Sequence, residues 1–372
     1  MQRRHLLATA AGLLIAPWAA RGAEDAGPLA LGAAWRGARE DDPQQLGVLE
    51  VDWARRRVAV RWSVALPARA HGLVAEPGGN LLAVAMRPGA WLLRCDAQGR
   101  VMQRLAIDDE GGAHRFDGHA VPSADGRWLY TTQTDPSGRG WVAVRETASL
   151  RKVDQWPTHG VDPHQLLLDA RGDLMLANGG ILRTSDGRKR DLDRMASSLV
   201  RLDGRSGALR GQWSLPDARL SLRHLAWGRP GQGGDPLLGV ALQAEHDDAA
   251  QRARAPVLAV WDGRELRVAT HAADGAGYAG DIAPAGPGGF ALSNHKVRRA
   301  FLWWPQQASA LHRFAELDEP YALASPERGP DAGAVLLACA AGVARWHPGE
   351  APAMLRWPAP MALDNHWVVM TA

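Results

Sequence analysis

Cysteine is nearly absent. The 372 residues hold two, Cys95 and Cys339, so no disulfide framework can be built on spacing. They lie in separate apolar segments, Trp91 to Cys95 and Val335 to Cys339, that fall in non-adjacent repeat units, and buried free thiols are expected. With no CxxC and no CxxCH, covalent attachment of a c-type haem is excluded. Also missing are a G-x-S-x-G elbow, a Walker A loop and an HExxH pair, the carriers of the common hydrolase, nucleotide and zincin chemistries. No apolar run reaches the ~20 residues that a membrane-spanning helix needs. There is no basic stripe with interleaved aromatics, so a sequence pI of about 9.2 is poor support for nucleic-acid binding.

The first residues read as an address. Arg3 and Arg4 precede an apolar run from Leu6 to Trp18 and small residues at Ala20 to Ala23, a pattern that resembles a twin-arginine export signal. Residues 1–22 are assigned to it, with cleavage near Gly22 or Ala23, no stable membrane insertion afterwards, and a periplasmic location. The formal charge of +3 loses Arg3, Arg4 and Arg21 with the signal, which leaves the mature chain near neutral.

What is abundant is punctuation. Gly 41 and Pro 24 interrupt the chain too often for long helices, while 46% hydrophobic residues can fill a large core. Between Thr158 and Pro216 the pattern gives strands at His164 to Leu168, Leu174 to Ala177, Leu199 to Leu202 and Leu209 to Leu215, a four-stranded meander joined by Asp/Gly turns and one long polar loop. The unit starts again at His71, His119, His224, Asp281 and Tyr321, at intervals near the ~40–50 residues of propeller blades. Leu29 to Trp35, Val48 to Asp52 and Val58 to Leu66 lack a first strand, and Asp364 to Met370 supplies one. The expected fold is therefore all-β: residues 23–372 form a single seven-bladed β-propeller of four-stranded antiparallel blades, its ring closed by N- and C-terminal strands. Tryptophans such as Trp62, Trp156, Trp213, Trp261, Trp303, Trp346 and Trp357 are expected to pack between blades.

First strands line the channel of a propeller, so His71, His119, His164, His224 and His366, at equivalent starts, should ring one face. Amide and basic residues at the ends of second strands, such as Arg87, Gln133, Asn178, Gln243 and Asn294, belong to the same face. Neutral imidazole suits borderline transition metals, so Fe, Cu, Zn or a non-covalent haem fit the composition. Repetition of a blade signature equally suits a structural role, each imidazole capping its own blade. Alternate blades are expected to stand too far apart for all five rings to share one ion at ~2.0–2.2 Å. The expected metal ligands are therefore His71, His119 and His366 from consecutive blades. Carboxylates are too few there for a calcium site of six to eight oxygens. The loop with Arg183, Arg188, Lys189, Arg190 and Arg194 is mildly basic and suits an acidic partner or ligand.

His159-Gly160-x-x-Pro163-His164, Ala177-Asn178-Gly179-Gly180-Ile181, Asp191-Leu192-Asp193-x-Met195 and Ser198-Leu199-Val200 together resemble a bacterial family of exported propellers catalogued as a domain of unknown function. Ser221-Leu222-Arg223-His224-Leu225 and Asp364-Asn365-His366 are similar to other marked stretches of that family. On this likeness Asn178, Arg223 and Asn365 join the five histidines as ligand-binding candidates. One departure is Leu182-Arg183-Thr184-Ser185-Asp186, where the family often has a Thr-His-Pro sequence. The resemblance also implies a setting beside imelysin-like periplasmic iron-uptake proteins. Three functions fit: a monomeric, non-catalytic propeller that binds a metal, ligand or partner in iron or transition-metal acquisition, which is the expected one; a quinoprotein-like oxidoreductase or lactonase-like hydrolase using the same channel residues; and a pure protein-docking scaffold.

Overall fold

Second and third strands such as Asn80–Ala85 and Trp91–Cys95 are buried on both faces, whereas the outer strand Val101–Ala106 alternates between exposed and half-buried residues. This gradient suits a blade whose middle is covered by a neighbour on each side and whose rim meets water. The computed structural model, which describes residues 27–184, 186–229 and 236–370, arranges such units as seven four-stranded antiparallel sheets around one axis. The expected export signal, residues 1–22, lies outside the described residues. Among the described residues the one α-helix is Ala249–Arg254.

Blades 1 to 6 begin on the inner strands Ala70–Glu76, Arg115–Pro122, Pro163–Leu168, Leu220–Trp227, Asp281–Ala285 and Leu323–Ala324. Blade 7 takes its inner strand, Met361–Val369, from the end of the chain and its other three, Leu29–Gly37, Gln45–Asp52 and Arg57–Ala65, from the start. Leu31 pairs with Val369 and Trp35 with Leu363, which closes the ring as expected and leaves neither end as an open edge.

The cores lie between blades. Met175, Ala177 and Leu199 of blade 3 pack on Leu222, Val240, Leu242 and Trp261 of blade 4. Each leucine buried this fully contributes about 2 kcal/mol relative to an exposed one. The tryptophans stitch the same seams. The Trp213 indole N–H donates to the Arg264 carbonyl at 2.7 Å, and that of Trp227 to the Leu168 carbonyl at 2.7 Å. Cys95 and Cys339 are buried free thiols in blades 1 and 6.

The inner strands are not regular. Pairing with the second strand slips between Ala70 and Leu73, Phe116 and Ala120, Pro163 and Leu166, and Leu222 and Leu225. A fifth slip, between Ala33 and Trp35, lies opposite the stretch of the closing strand from Leu363 to Trp367. The inner strand of blade 5 pairs with no slip.

Candidate functional site

Each of these five inner-strand slips holds a histidine. His71, His119, His164 and His224 lie inside the four β-bulges of blades 1 to 4, and His366 lies inside that of blade 7. A bulge breaks the two-residue alternation and re-aims a side chain. His119, His224 and His366 accordingly sit within their strands rather than at the starts expected from the repeat, yet still turn toward the axis. Glycines let the strands close up. A Cβ on Gly72 would lie 2.3 Å from the Gly118 carbonyl oxygen, and one on Gly118, at φ +100°, would lie 2.6 Å from the His71 ring. Gly118→Ala should therefore displace the His71 imidazole and destabilise the fold by roughly 1–3 kcal/mol. Thermal melts check this, with Gly126→Ala, at a turn where a Cβ meets nothing within 4 Å, as the comparison for backbone strain alone.

The five imidazoles form one buried cluster. Nine ring pairs among them have centroids 4.4 to 5.9 Å apart. The separation expected between alternate blades is not found, because the bulges carry the rings inward to where the inner strands converge. His224 Nε2 stands 2.8 Å from His164 Nε2 and 3.0 Å from His366 Nε2. A neutral imidazole nitrogen has either one N–H or one lone pair, never both. His224 Nε2 can thus make a proper hydrogen bond with only one of its two neighbours unless a cation is shared. One nitrogen each from His71, His119, His224 and His366 lie within 4.8 Å of one another. Tetrahedral coordination at ~2.0–2.1 Å places nitrogens about 3.3 Å apart, which small ring rotations here would reach. The set brought together is the expected His71, His119 and His366 with His224 added and His164 against it.

Other features fit a cation. Both nitrogens of His71, Nε2 of His119 and Nδ1 of His164 and His224 are buried without a hydrogen-bond partner. Asp281 Oδ1 lies 3.3 Å from His366 Nδ1, which leaves Nε2 facing the cluster, the arrangement that orients metal-binding histidines. Burial, then mutual repulsion and the charge of Arg87, hold His71, His119, His164 and His224 well below the ordinary histidine range. Their lone pairs are therefore free at neutral pH. A porphyrin does not fit: rings this close leave no slot for a flat macrocycle, and the non-covalent haem expected as an option is set aside.

Beside the imidazoles is a second cluster that the sequence did not assemble. Asp162 receives three guanidiniums: Arg87 Nη1 and Arg183 Nε each donate to Oδ1 at 2.8 Å, and Arg223 Nη1 donates to Oδ2 at 2.8 Å. Burial works to raise the Asp162 carboxyl, but the arginines outweigh it and hold it at about 2. Asp117, buried and accepting from the Thr134 hydroxyl at 2.7 Å, is pushed by burial up to about 7. Arg183 reaches the cluster because residues 182–183 and 189–190 of the long blade 3 loop form a small hairpin.

The remaining candidates take other places. Asn178 is buried and donates to the Thr158 carbonyl and the Ser198 hydroxyl, so it ties loops together. Asn294 likewise donates to the Gly275 and Tyr278 carbonyls. Arg223 belongs to the Asp162 cluster. Asn365 lies next to the His cluster in sequence but lines a separate pocket of about 340 Å³ with Arg69, His295 and Tyr321. Asp281, Asp162 and Asp117 were not assigned roles from sequence, and Arg87 was placed only on the face that the histidines ring. Asp281 did carry a signal, since it occupies the repeat position held by histidine in other blades.

Residues 64–370 match the model of a family described as protein of unknown function (DUF1513). No curated protein matches the chain. Among solved structures the chain is similar to virginiamycin B lyase from Staphylococcus aureus, at 9% identity and TM-score 0.55 over 78% of this chain and 84% of that one. It is also similar to a putative 6-phosphogluconolactonase from Bacteroides uniformis, at 13% identity and TM-score 0.56 over 91% and 99%. At such identities the likeness is one of fold alone.

Proposed function

The chain belongs to this DUF1513 family of unknown function, and from that premise we propose that it is an exported, non-catalytic propeller that binds a divalent transition-metal ion in its channel for metal acquisition. The observation that carries the reading is the meeting of three Nε2 atoms at His224, which hydrogen bonding among neutral rings does not satisfy. His71, His119, His224 and His366 would hold the ion, with His164 against them and Asp281 orienting His366. An all-imidazole donor set suits Zn, Cu or Fe(II) and leaves the ion's charge uncancelled. The periplasm, and periplasmic iron-uptake proteins as recipients or donors of the metal, are the setting proposed for it.

The test is metal analysis of protein purified from the periplasmic fraction of its native host, followed by Zn²⁺ titration of the stripped protein. One bound ion per chain is expected. Asp281→Asn should weaken Zn²⁺ binding by about 10–100-fold with the fold intact, the usual cost of losing such an orienting partner. Protein that carries no metal and takes up no Zn²⁺ would remove the reading. Turnover of a lactone, or a bound chromophore absorbing visible light, would replace it with the catalytic alternative.

A further inference from the structure

We propose that Arg87, Arg183 and Arg223 form a binding site for a small oxyanion, a carboxylate or a phosphate, beside the histidine cluster, so that the channel takes its metal together with an anionic oxygen ligand. The coupling to metal rests on the function proposed above. The oxyanion site itself does not.

Charge is the first ground. Three guanidiniums from three blades face one ionised carboxylate, Asp162, whose side chain is 1% exposed. Asp117, the other buried carboxylate nearby, accepts from the Thr134 hydroxyl rather than from a guanidinium, so even counted as ionised it leaves three guanidiniums facing two carboxylates. Glu245 does not offset the excess, because it is engaged with Lys189 at 2.5 Å. An uncompensated buried charge is costly unless an opposite charge arrives.

Unused donors are the second ground. Asp162 offers two oxygens, and the bonds from Arg87 and Arg183 both fall on Oδ1. Arg223 is 1% exposed, and its Nε is buried with no partner. The Arg87 and Arg183 side chains are 18% and 21% exposed, so the open edge of the cluster is reached from solvent. Guanidinium forks match the planar or tetrahedral oxygens of carboxylate and phosphate.

Backbone construction is the third. Asp162 adopts a left-handed conformation at φ 53°, and the N–H groups of Gly179 and Gly180 hold the Asp162 and Val161 carbonyls at 2.8 and 3.1 Å. A non-glycine residue fixed in that region is held there by its surroundings. A Cβ on Gly179 would strike the Asp162 carboxylate at 2.5 Å and Arg223 at 2.9 Å, so the glycine makes room for the cluster.

The two clusters constrain each other. Arg223 directly precedes His224 in the chain and shares Asp162 with Arg87, which puts buried positive charge beside the imidazoles. What disfavours a proton there also disfavours a bare dication. An oxyanion on the arginines offsets that repulsion, and by linkage the metal would strengthen anion binding by the same factor.

Calorimetric titration of the stripped mature chain with inorganic phosphate and, separately, with succinate, at constant ionic strength, tests the site. Saturable binding of at least one is expected, weakened at least 10-fold by Arg87→Gln and by Arg183→Gln and less by Arg87→Lys. Which anion binds more tightly distinguishes a phosphate from a carboxylate ligand. Saturating anion should then tighten Zn²⁺ binding at least 10-fold. If neither anion binds the wild-type chain, the oxyanion site is overturned, and Zn²⁺ uptake judges the metal reading separately. If anions bind and depend on the arginines while Zn²⁺ does not bind, the oxyanion site stands and the metal reading falls. Should both glutamine variants misfold by circular dichroism, the wild-type titration and Arg87→Lys still decide.

Discussion

Substituting His224 by alanine is expected to weaken Zn²⁺ binding by at least about 100-fold, a larger loss than any other single replacement in the channel. Its Nε2 is the atom on which His164 and His366 both close, at 2.8 and 3.0 Å, and it belongs to the group of four nitrogens within 4.8 Å. Loss of an orienting partner alone costs about 10–100-fold in metal affinity, so loss of a direct ligand should exceed that range. His347→Ala is the control, because His347 follows the third strand of blade 6, Gly342–Trp346, and pairs with Glu350 away from the cluster. Calorimetry on both variants, with circular dichroism to verify folding, makes the comparison. Equal affinities in the two would show that the imidazoles are a packing device.

The second large effect is loss of stability in mild acid. His71, His119, His164 and His224 are held well below the ordinary value of 6.5, first by burial, so the folded chain keeps them neutral while the unfolded chain protonates them. A group depressed in this way contributes stability fully above 6.5 and loses it as pH falls below 6.5. Asp117 acts the other way: its carboxyl is pushed up to about 7 when folded, so it takes up a proton on folding in the same window. The balance approaches three protons favouring the unfolded state, or up to about 4 kcal/mol per pH unit, once pH is about a unit below 6.5 and the unfolded histidines are fully protonated. Against a typical total of about 5–15 kcal/mol, one unit is a large fraction. Asp162, held at about 2, adds to the loss only below the ordinary carboxylate range. Denaturant melts of the metal-free chain at pH 7.5 and 5.5 should show the drop, and His164→Gln should reduce the slope by about one proton. A flat profile across that interval would mean that the rings protonate in place.

Most of the fold was legible because it rests on local signals. Alternation and Asp/Gly turns place the strands of blade 3 within a residue or two of Pro163–Leu168, Leu174–Asn178, Ser198–Leu202 and Leu209–Trp213. The missing first strand at one end and the spare strand at the other announced the closed ring. The site was half legible. Equivalent histidines could be found from the repeat, but the bulges that gather them arise from how one strand registers on the next, which a linear pattern does not carry. Gly118 beside His119 was a trace of one such bulge. The arginine cluster left less, because Arg87, Asp162, Arg183 and Arg223 meet only once three separate blades are placed around an axis. Its linear signs were scattered: the basic character of the 183–194 loop, Arg87 at the end of a second strand and Arg223 beside His224.

The closing strand has a temporal consequence. His366 rides on Met361–Val369, which leaves the ribosome after the other described strands and zips onto Leu29–Gly37, the first of them to emerge. A nascent chain can therefore display four imidazoles but cannot complete the set until Met361–Val369 has been made and has met Leu29–Gly37. Shutting the wheel and completing the imidazole cluster are one event, so any ion the cluster takes is chosen in whichever compartment hosts that step.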